Sequence, residues 1–145
     1  MFIKELAEYE KLAHEVVATE EAIHTSLFGP RPHAEVLIAE AEGQPAGFAL
    51  FLHNYSTFLA RPGIFLEDLY VRPAFRRRGI GRQLLTRLAQ LAVERGCGRF
   101  EWNVLDWNES AIGFYKSLGA RPMDEWTTFR LTGGALTALG HRGSD

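Results

Sequence analysis

The sequence contains little of several features that mark specialised protein classes. It has one cysteine in 145 residues, so no internal disulfide can form and an oxidising compartment would add nothing to the fold. Its 16 basic and 18 acidic residues give a net charge of −2, without the basic excess of a general nucleic-acid binder. The longest apolar stretch, about residues 46–52, is far shorter than the roughly 20 residues of a membrane span. These absences predict a soluble cytoplasmic protein that binds neither nucleic acid nor membranes.

The composition is that of an ordinary globular chain, with 46% hydrophobic and 23% charged residues, and its length fits a single domain over residues 1–145. Helices are predicted over residues 2–13 and from the N-cap Thr19 to just before Gly29. The later elements follow in this order: strands 34–40 and 46–54 joined by a turn, strand 64–71, a helix with an apolar stripe from Ile80 to Gly96, strand 99–105, a helix from Asn108 to Gly119, and strands 120–124 and 127–131. Residues 133–145 are expected to fray. This order predicts an α/β fold.

A loop rich in glycine and arginine joins the 64–71 strand to the following helix. Gly79 and Gly81 let backbone N–H groups approach a ligand, and the start of the helix directs its free amides and positive dipole end at the same point. Five arginines add charge that suits phosphate: Arg72, Arg76, Arg77, Arg78 and Arg82. The loop lacks the Gly-Lys-Ser/Thr of a Walker loop and the third glycine of a dinucleotide fingerprint. By itself it predicts either a diphosphate cradle or a solvated basic loop.

Two segments resemble the signatures of the GNAT superfamily of N-acetyltransferases. Arg76-x-x-Gly79-x-Gly81 looks like its acetyl-CoA loop, and residues 107–120 resemble its second signature, an Asn-capped helix that carries Phe-Tyr and ends in Gly-Ala. Residues 65–68, 107–109 and 3–10 are similar to the branch that acetylates diamines (spermidine and spermine) and thialysine. The resemblance implies a mixed central sheet flanked by helices. Members open with a β-strand, and this sequence begins inside the next helix, so the sheet is expected to lack the usual first strand.

The resemblance also implies an activity, namely direct transfer of acetyl from acetyl-CoA to the primary amine of a small cationic acceptor such as a polyamine or thialysine. Two alternatives remain open, which are acetylation of a peptide, protein or antibiotic amine, and a CoA-binding module without turnover. Related enzymes are commonly dimers, which implies a homodimer here.

For acetyl-CoA, the resemblance implies that backbone groups of Leu69 and Val71 pair with the pantetheine arm like an added strand. Loop residues would hold the pyrophosphate and the 3′-phosphate. The complete set expected to bind acetyl-CoA is Leu69, Tyr70, Val71, Arg76, Arg77, Arg78, Gly79, Ile80, Gly81, Arg82, Asn108, Ser110, Ala111 and Tyr115. The alternative for Asn108 is that it caps its helix and has no other role.

Acetylation of an amine needs a base that takes the amine proton and an acid that protonates the departing thiolate. Glu67 is the candidate base, acting through a water, and the alternative is that it faces outward, because strand alternation places Glu67 and Asp68 on opposite faces. Tyr115 is the candidate acid, since a phenol keeps its proton to higher pH than a thiol. The alternative for Tyr115 is a core tyrosine on the apolar face of its helix.

For the acceptor, the resemblance assigns Tyr9 and Glu10 to substrate binding together with Glu67, and a carboxylate there suits a cationic amine. The alternative for Tyr9 and Glu10 is an ordinary helix surface. Cys97 lies between glycines without an evident base, which favours direct transfer over an acyl-cysteine route. No metal is expected, because the histidines lack metal-ligand spacing: His14, His24, His33, His53 and His141.

Overall fold

The computed structural model of the protein describes residues 2–142. Its contacts divide the chain into two compact units, Met1–Leu105 and Asp106–Asp145, which are described separately below. The prediction that residues 1–145 form one domain stays a prediction.

The first unit contains three α-helices and one four-stranded sheet. Its elements in chain order are α1 (Phe2–Tyr9), α2 (Glu20–Phe28), β1 (Glu35–Ala41), β2 (Gln44–Ser56), β3 (Arg61–Val71), α3 (Ile80–Glu94) and β4 (Phe100–Trp102). The strand order is β1-β2-β3-β4, with β1, β2 and β3 antiparallel and β4 parallel to β3. The predicted α/β fold with a mixed sheet and helices is therefore confirmed. The absence of the usual first strand stays a prediction.

Helix α3 supplies one side of the core. Its apolar stripe is buried at every predicted position: Ile80, Leu84, Leu85, Leu88, Leu91 and Ala92. The stripe faces β2 and β3, whose fully buried side chains include Phe51 and Ile64. The helix ends before Gly96, whose φ of 71° is the left-handed conformation that glycine adopts without strain. The sequence predicted this helix correctly because its period, start and stop signals all agree.

Helix α1 is shorter than the predicted 2–13 helix. It ends at Tyr9 because Lys11 adopts a left-handed conformation with φ of 62°, and the Leu12 amide donates to the Ala7 carbonyl at 2.8 Å. This six-residue closure is the pattern of a Schellman-type helix end. Helix α2 begins at its predicted N-cap, since the Thr19 hydroxyl accepts from the Ala22 amide at 3.1 Å.

Strand β3 carries a β-bulge at its two adjacent carboxylates. On β2, Leu50 pairs with Asp68 and Phe51 pairs with Leu66, so Glu67 is an extra residue in β3. Strand β4 pairs with β3 only along Ile64–Leu66 and stops where the bulge begins. The predicted strand 99–105 is wrong beyond Trp102, because the bulge and its added twist end the parallel pairing.

The second unit contains α4 (Glu109–Ser117) and α5 (Gly133–Gly140). Helix α4 confirms the helix predicted between Asn108 and Gly119. The strands predicted over 120–124 and 127–131 are wrong, because no strand of the described chain pairs with these residues and an extended segment needs such a neighbour. The expected fraying from residue 133 is also wrong as far as Gly140, and residues 143–145 lie outside the described part.

Candidate active site

The arginine loop, residues 72–82, connects β3 to α3. Gly79 is the N-cap of α3 and has a φ of 75°, which favours glycine. A Cβ added to Gly79 would meet no described heavy atom within 4 Å, and one added to Gly81 would meet only Val71 Cγ2, at 3.9 Å. The Gln83 amide donates to the Gly79 carbonyl at 2.9 Å, so the amides that precede it in the first turn have no partner within the helix. The open space and these donors fit a diphosphate group.

Two arginines of the loop form ion pairs with carboxylates. Arg72 contacts both carboxylate oxygens of Glu5 at 3.2 Å, and Arg78 Nη1 lies 3.0 Å from Glu42 Oε1. Burial alone would raise the pKa of Glu5, but the hydrogen bonds and charge of Arg72 outweigh it and lower this pKa. Arg72 and Arg78 therefore bind protein groups in this structure.

Of the other three arginines of the loop, Arg76 contacts protein groups, whereas the remaining two form no polar contact among the described residues. Arg76 donates from Nε to the Val71 carbonyl at 2.9 Å, and its guanidinium carbon lies 5.3 Å from the ring centroid of Tyr9. Across residues 2–142, the guanidinium groups of Arg77 and Arg82 form neither a hydrogen bond nor an ion pair. Of the five arginines, Arg77 and Arg82 are thus the two whose side chains are available to a phosphate.

The end of β3 offers one open backbone edge. Leu69 and Val71 pair with Ala49 and Gly47 of β2 on one side. On the other side, the pairing of β3 with β4 ends at Leu66, and no described strand pairs with residues 67–71 there. An extended ligand such as a pantetheine arm could hydrogen-bond along this edge in the way that an added strand does.

Three carboxylates interact electrostatically and make up a carboxylate cluster: Glu10, which follows α1, and Glu67 and Asp68 on β3. Burial raises the pKa of Asp68 to about 6, and the charges of Glu67 and then Glu10 add to the effect. Burial also raises the pKa of Glu10, with a further contribution from Glu67. Both strand carboxylates therefore interact with Glu10. The bulge interrupts the alternation on which the expectation of opposite faces depended, and that expectation stays a prediction.

The sequence analysis assigned a role to Glu67 and none to Asp68. The signal that points to Asp68 is the pair of carboxylates within an otherwise apolar strand, whereas the bulge beside them has no local signature in the sequence. Glu67 is exposed and Asp68 is partly buried, so the two carboxyl groups differ in environment. Tyr9, at the last turn of α1, keeps 42% of its surface exposed, and Glu10 follows it directly.

The second unit holds the other predicted residues on and before α4. The Asn108 side chain accepts from the Ala111 amide at 3.3 Å and from the Ser110 hydroxyl at 3.4 Å, which confirms that Asn108 caps the helix. Tyr115 is partly buried, and its ring centroid lies 5.8 Å from that of Phe114. No residue of 106–142 is fully buried in the structure, so Tyr115 does not lie in a core of this unit.

Comparison with known proteins gives the family. The sequence profile of the acetyltransferase (GNAT) family matches residues 3–120. The chain belongs to the GNAT acetyltransferase family. It is 43% identical to a thialysine N-epsilon-acetyltransferase of Sus scrofa, over 94% of this chain and 86% of that protein. It is 35% identical to an L-ornithine N5-acetyltransferase of Arabidopsis thaliana, over 94% of this chain and 80% of that one.

Solved structures show the same fold. An integron cassette protein from the mobile metagenome of V. cholerae matches with a TM-score of 0.81 and 28% identity, over 97% of this chain and 87% of that one. An aminoglycoside acetyltransferase from an uncultured soil metagenomic sample matches with a TM-score of 0.74 and 20% identity, over 90% of this chain and 85% of that one. The GNAT fold and an acetyltransferase activity are thus established for the chain.

The part of the chain that the structure describes lacks two other kinds of feature. None of the helices within residues 2–142 is long and apolar enough to span a membrane. In the same part of the chain, no group of His, Cys, Asp and Glu side chains has the arrangement of a metal site. The expectation that the enzyme uses no metal stays a prediction.

Proposed function

We propose that this GNAT enzyme transfers acetyl from acetyl-CoA directly to the primary amine of a small cationic acceptor, of the polyamine or thialysine type. The observation that carries this proposal is the electrostatic interaction among Glu10, Glu67 and Asp68, of which the two strand residues precede the arginine loop by a few positions on β3. Three interacting carboxylates favour a positively charged acceptor. The thialysine and ornithine acetyltransferases that the chain resembles support an acceptor of this size and charge.

Acetyl-CoA, when bound, supplies the thioester carbonyl that the amine attacks. The residues that would hold it fit its parts. The free guanidinium groups of Arg77 and Arg82, with the first amides of α3, would hold the phosphates. The open edge at Leu69 and Val71 would hold the pantetheine arm. Arg78 also belongs to the proposed set, although Glu42 occupies its guanidinium in the present structure.

The carboxylate cluster has two tasks in this proposal. It attracts the ammonium form of the acceptor, and it accepts the proton that must leave before the nitrogen can attack. Glu67 is the proposed base, acting through a water from an exposed position. Asp68, with a pKa of about 6, shares the field of the cluster and is the other carboxyl able to take up that proton near neutral pH.

Tyr115 is the proposed acid for the CoA thiolate, and Asn108, Ser110 and Ala111 complete the proposed CoA-binding residues of the second unit. The Asn108 cap fixes the start of α4, and Tyr115 follows on the same helix. A phenol remains protonated at the pH where a thiolate forms, so it can donate as charge develops on sulfur.

An acyl-cysteine route is less well supported than direct transfer. Cys97 Sγ lies 3.9 Å from His53 Nδ1, but that nitrogen is 3.0 Å from the Gly63 carbonyl, which can only accept a hydrogen bond. His53 Nε2 lies 3.0 Å from Arg95 Nη1, which can only donate a hydrogen bond. Both ring nitrogens are thus engaged, and the imidazole has no free lone pair with which to activate the thiol.

We also propose a cytoplasmic homodimer. The second unit exposes large apolar side chains, which soluble proteins commonly cover by association. They are Trp107, Leu118, Met123, Trp126, Phe129, Leu131, Leu136 and Leu139. A second copy would shield them, and sedimentation of the purified protein over a range of concentrations tests the proposal, since a monomer at all concentrations would contradict it.

The test of the acceptor is initial-rate acetylation over an amine panel at fixed acetyl-CoA. We expect the highest kcat/KM with spermidine, thialysine or ornithine, and a much lower value with a primary monoamine of the same length, which carries no second positive charge. A peptide N-terminus and an aminoglycoside test the two other acceptor classes. Turnover confined to either of these, or absent throughout, would contradict the proposal.

A further inference from the structure

One face of α1 packs against the end of β3 and the arginine loop. Phe2, Glu5 and Tyr9 are spaced three and four residues apart and therefore share this face. The Phe2 ring stacks on Phe48 with centroids 5.2 Å apart. Glu5 accepts from the Tyr70 hydroxyl at 3.4 Å and pairs with Arg72, as described above. The first two contacts fix the beginning and middle of the helix.

Arg76 supplies the contact at the last turn of α1. Its guanidinium carbon lies 5.3 Å from the ring centroid of Tyr9 and 5.6 Å from that of Tyr70. Both distances fall within the roughly 6 Å of a cation–π interaction. Its Nε donates to the Val71 carbonyl at 2.9 Å, which fixes the direction of the side chain. The assignment of Arg76 to acetyl-CoA stays a prediction, and in this structure its guanidinium contacts the backbone of β3 and two aromatic rings.

The contact with Tyr9 has a consequence for the carboxylate cluster. Glu10 follows Tyr9 directly, and α1 ends here because Lys11 turns into the left-handed conformation. The backbone that the Tyr9 ring anchors is therefore also the backbone from which the Glu10 side chain extends, and the charge of Glu67 acts on the Glu10 carboxyl. A shift of this last turn would change the spacing of the cluster without moving β3.

We propose that Arg76 is a positioning residue for the acceptor: by holding the Tyr9 ring from the arginine loop, it places Glu10 in the carboxylate cluster. The inference rests on the proposed function, because it concerns the acceptor of that reaction. It extends that function by joining the acetyl-CoA loop to the acceptor residues through one side chain.

The test is a double-mutant cycle on the KM of the acceptor, with spermidine as the probe. Arg76→Met and Tyr9→Leu should each raise this KM about two- to five-fold, the size expected for an exposed cation–π contact. The double variant should resemble the single variants, since each removes the same interaction. Tyr9→Phe keeps the ring and should retain the coupling to Arg76. Additive effects of Arg76→Met and Tyr9→Leu would overturn the proposal.

Hydrogen exchange separates positioning of the acceptor from simple support of α1. Arg76→Met should speed amide exchange over residues 2–12, whereas Arg77→Met, the matched control in the same loop, should leave it unchanged and affect only acetyl-CoA. Faster exchange with an unchanged acceptor KM would assign Arg76 to the stability of α1 alone and overturn the proposal. Unchanged exchange would also overturn it. Turnover by the unmodified enzyme is the reference: without it, the proposed function fails first, and the positioning role fails with it.

Discussion

The two units of the chain differ in how far they bury their apolar side chains. Every fully buried residue of the structure lies in residues 2–105, and those in α3 line one continuous stripe. In residues 106–142 none is fully buried, and Trp126 and Phe129 keep 78% and 91% of their surface exposed. Yet α3 and α4 begin with equally clear local signals, Gly79 before one and the Asn108 cap before the other.

This difference in burial shows that different contacts stabilise the two segments that resemble family signatures, the arginine loop and the segment that includes α4. The arginine loop is held by a buried helix behind it and by ion pairs to Glu5 and Glu42. Tyr115 is held by a short capped helix whose apolar side chains are only partly covered. Local sequence determines the helix in both cases, whereas burial depends on what packs against it. The proposed acid therefore belongs to the part of the chain with less support of its own.

The largest expected effect tests whether the less buried unit takes part in the chemistry. Tyr115→Phe should lower kcat by about 10²–10⁴-fold, the usual contribution of general acid catalysis, while acetyl-CoA binding persists. Tyr55→Phe is the matched control, because Tyr55 is an exposed tyrosine on β2 outside the proposed site. An unchanged kcat for Tyr115→Phe would remove this residue from the mechanism and leave all proposed chemistry in the first unit.

The second expected effect sharpens the contrast in burial. Leu88→Ala removes a fully buried side chain and should lower the free energy of unfolding by about 2–5 kcal/mol at any protein concentration. Leu136 keeps 53% of its surface exposed, so Leu136→Ala should alter unfolding only through self-association and therefore only at high protein concentration. Urea titrations at two protein concentrations measure both. A large decrease in the free energy of unfolding for Leu136→Ala that does not depend on protein concentration would contradict the difference in burial between the two units.

The third and smallest effect concerns a charge that the first unit holds at a cost. The pKa of Asp68 is raised from 3.8 to about 6, so its ionisation disfavours the folded state, with no cost below the lower value and the full cost above the higher one. Asp68→Asn should therefore raise the free energy of unfolding by about 1–3 kcal/mol at pH 8 and by almost nothing near pH 3.

Urea titrations of the Asp68→Asn variant at the two pH values give the measurement. Asp124→Asn, which changes an exposed carboxyl of the second unit, serves as the control and should show no pH-dependent gain. A gain for Asp68→Asn that is equal at both pH values would show that ionisation of Asp68 does not oppose folding.

The sequence predicted those parts of the fold in which a local signal and the tertiary contact agree. Helix α3 is the clearest case, because its apolar period matches the face it buries. The strands over 120–131 failed because β-propensity describes how well a residue fits a strand, whereas pairing needs a neighbour that the described chain does not provide. The end of α1 at Lys11 was missed because lysine is not a usual left-handed residue.

The candidate site shows the same division. Gly79 was predicted from sequence as a loop glycine that lets backbone amides approach a ligand, and its φ of 75° adds a second reason for glycine there. Arg76 was assigned to the cofactor because Arg76-x-x-Gly79-x-Gly81 resembles an acetyl-CoA loop, and no local signal in the sequence shows that Tyr9 lies within reach of its guanidinium. The bulge at Glu67 was missed for a similar reason, since it exists only in the pairing of β3 with β2.

The central claim, direct transfer from acetyl-CoA to a small cationic amine, is tested most directly by initial velocities with acetyl-CoA and spermidine varied together. Direct transfer predicts double-reciprocal lines that intersect, and an enzyme that mass spectrometry finds unacetylated after incubation with acetyl-CoA alone. Parallel lines together with an acetyl group on Cys97 would contradict the account.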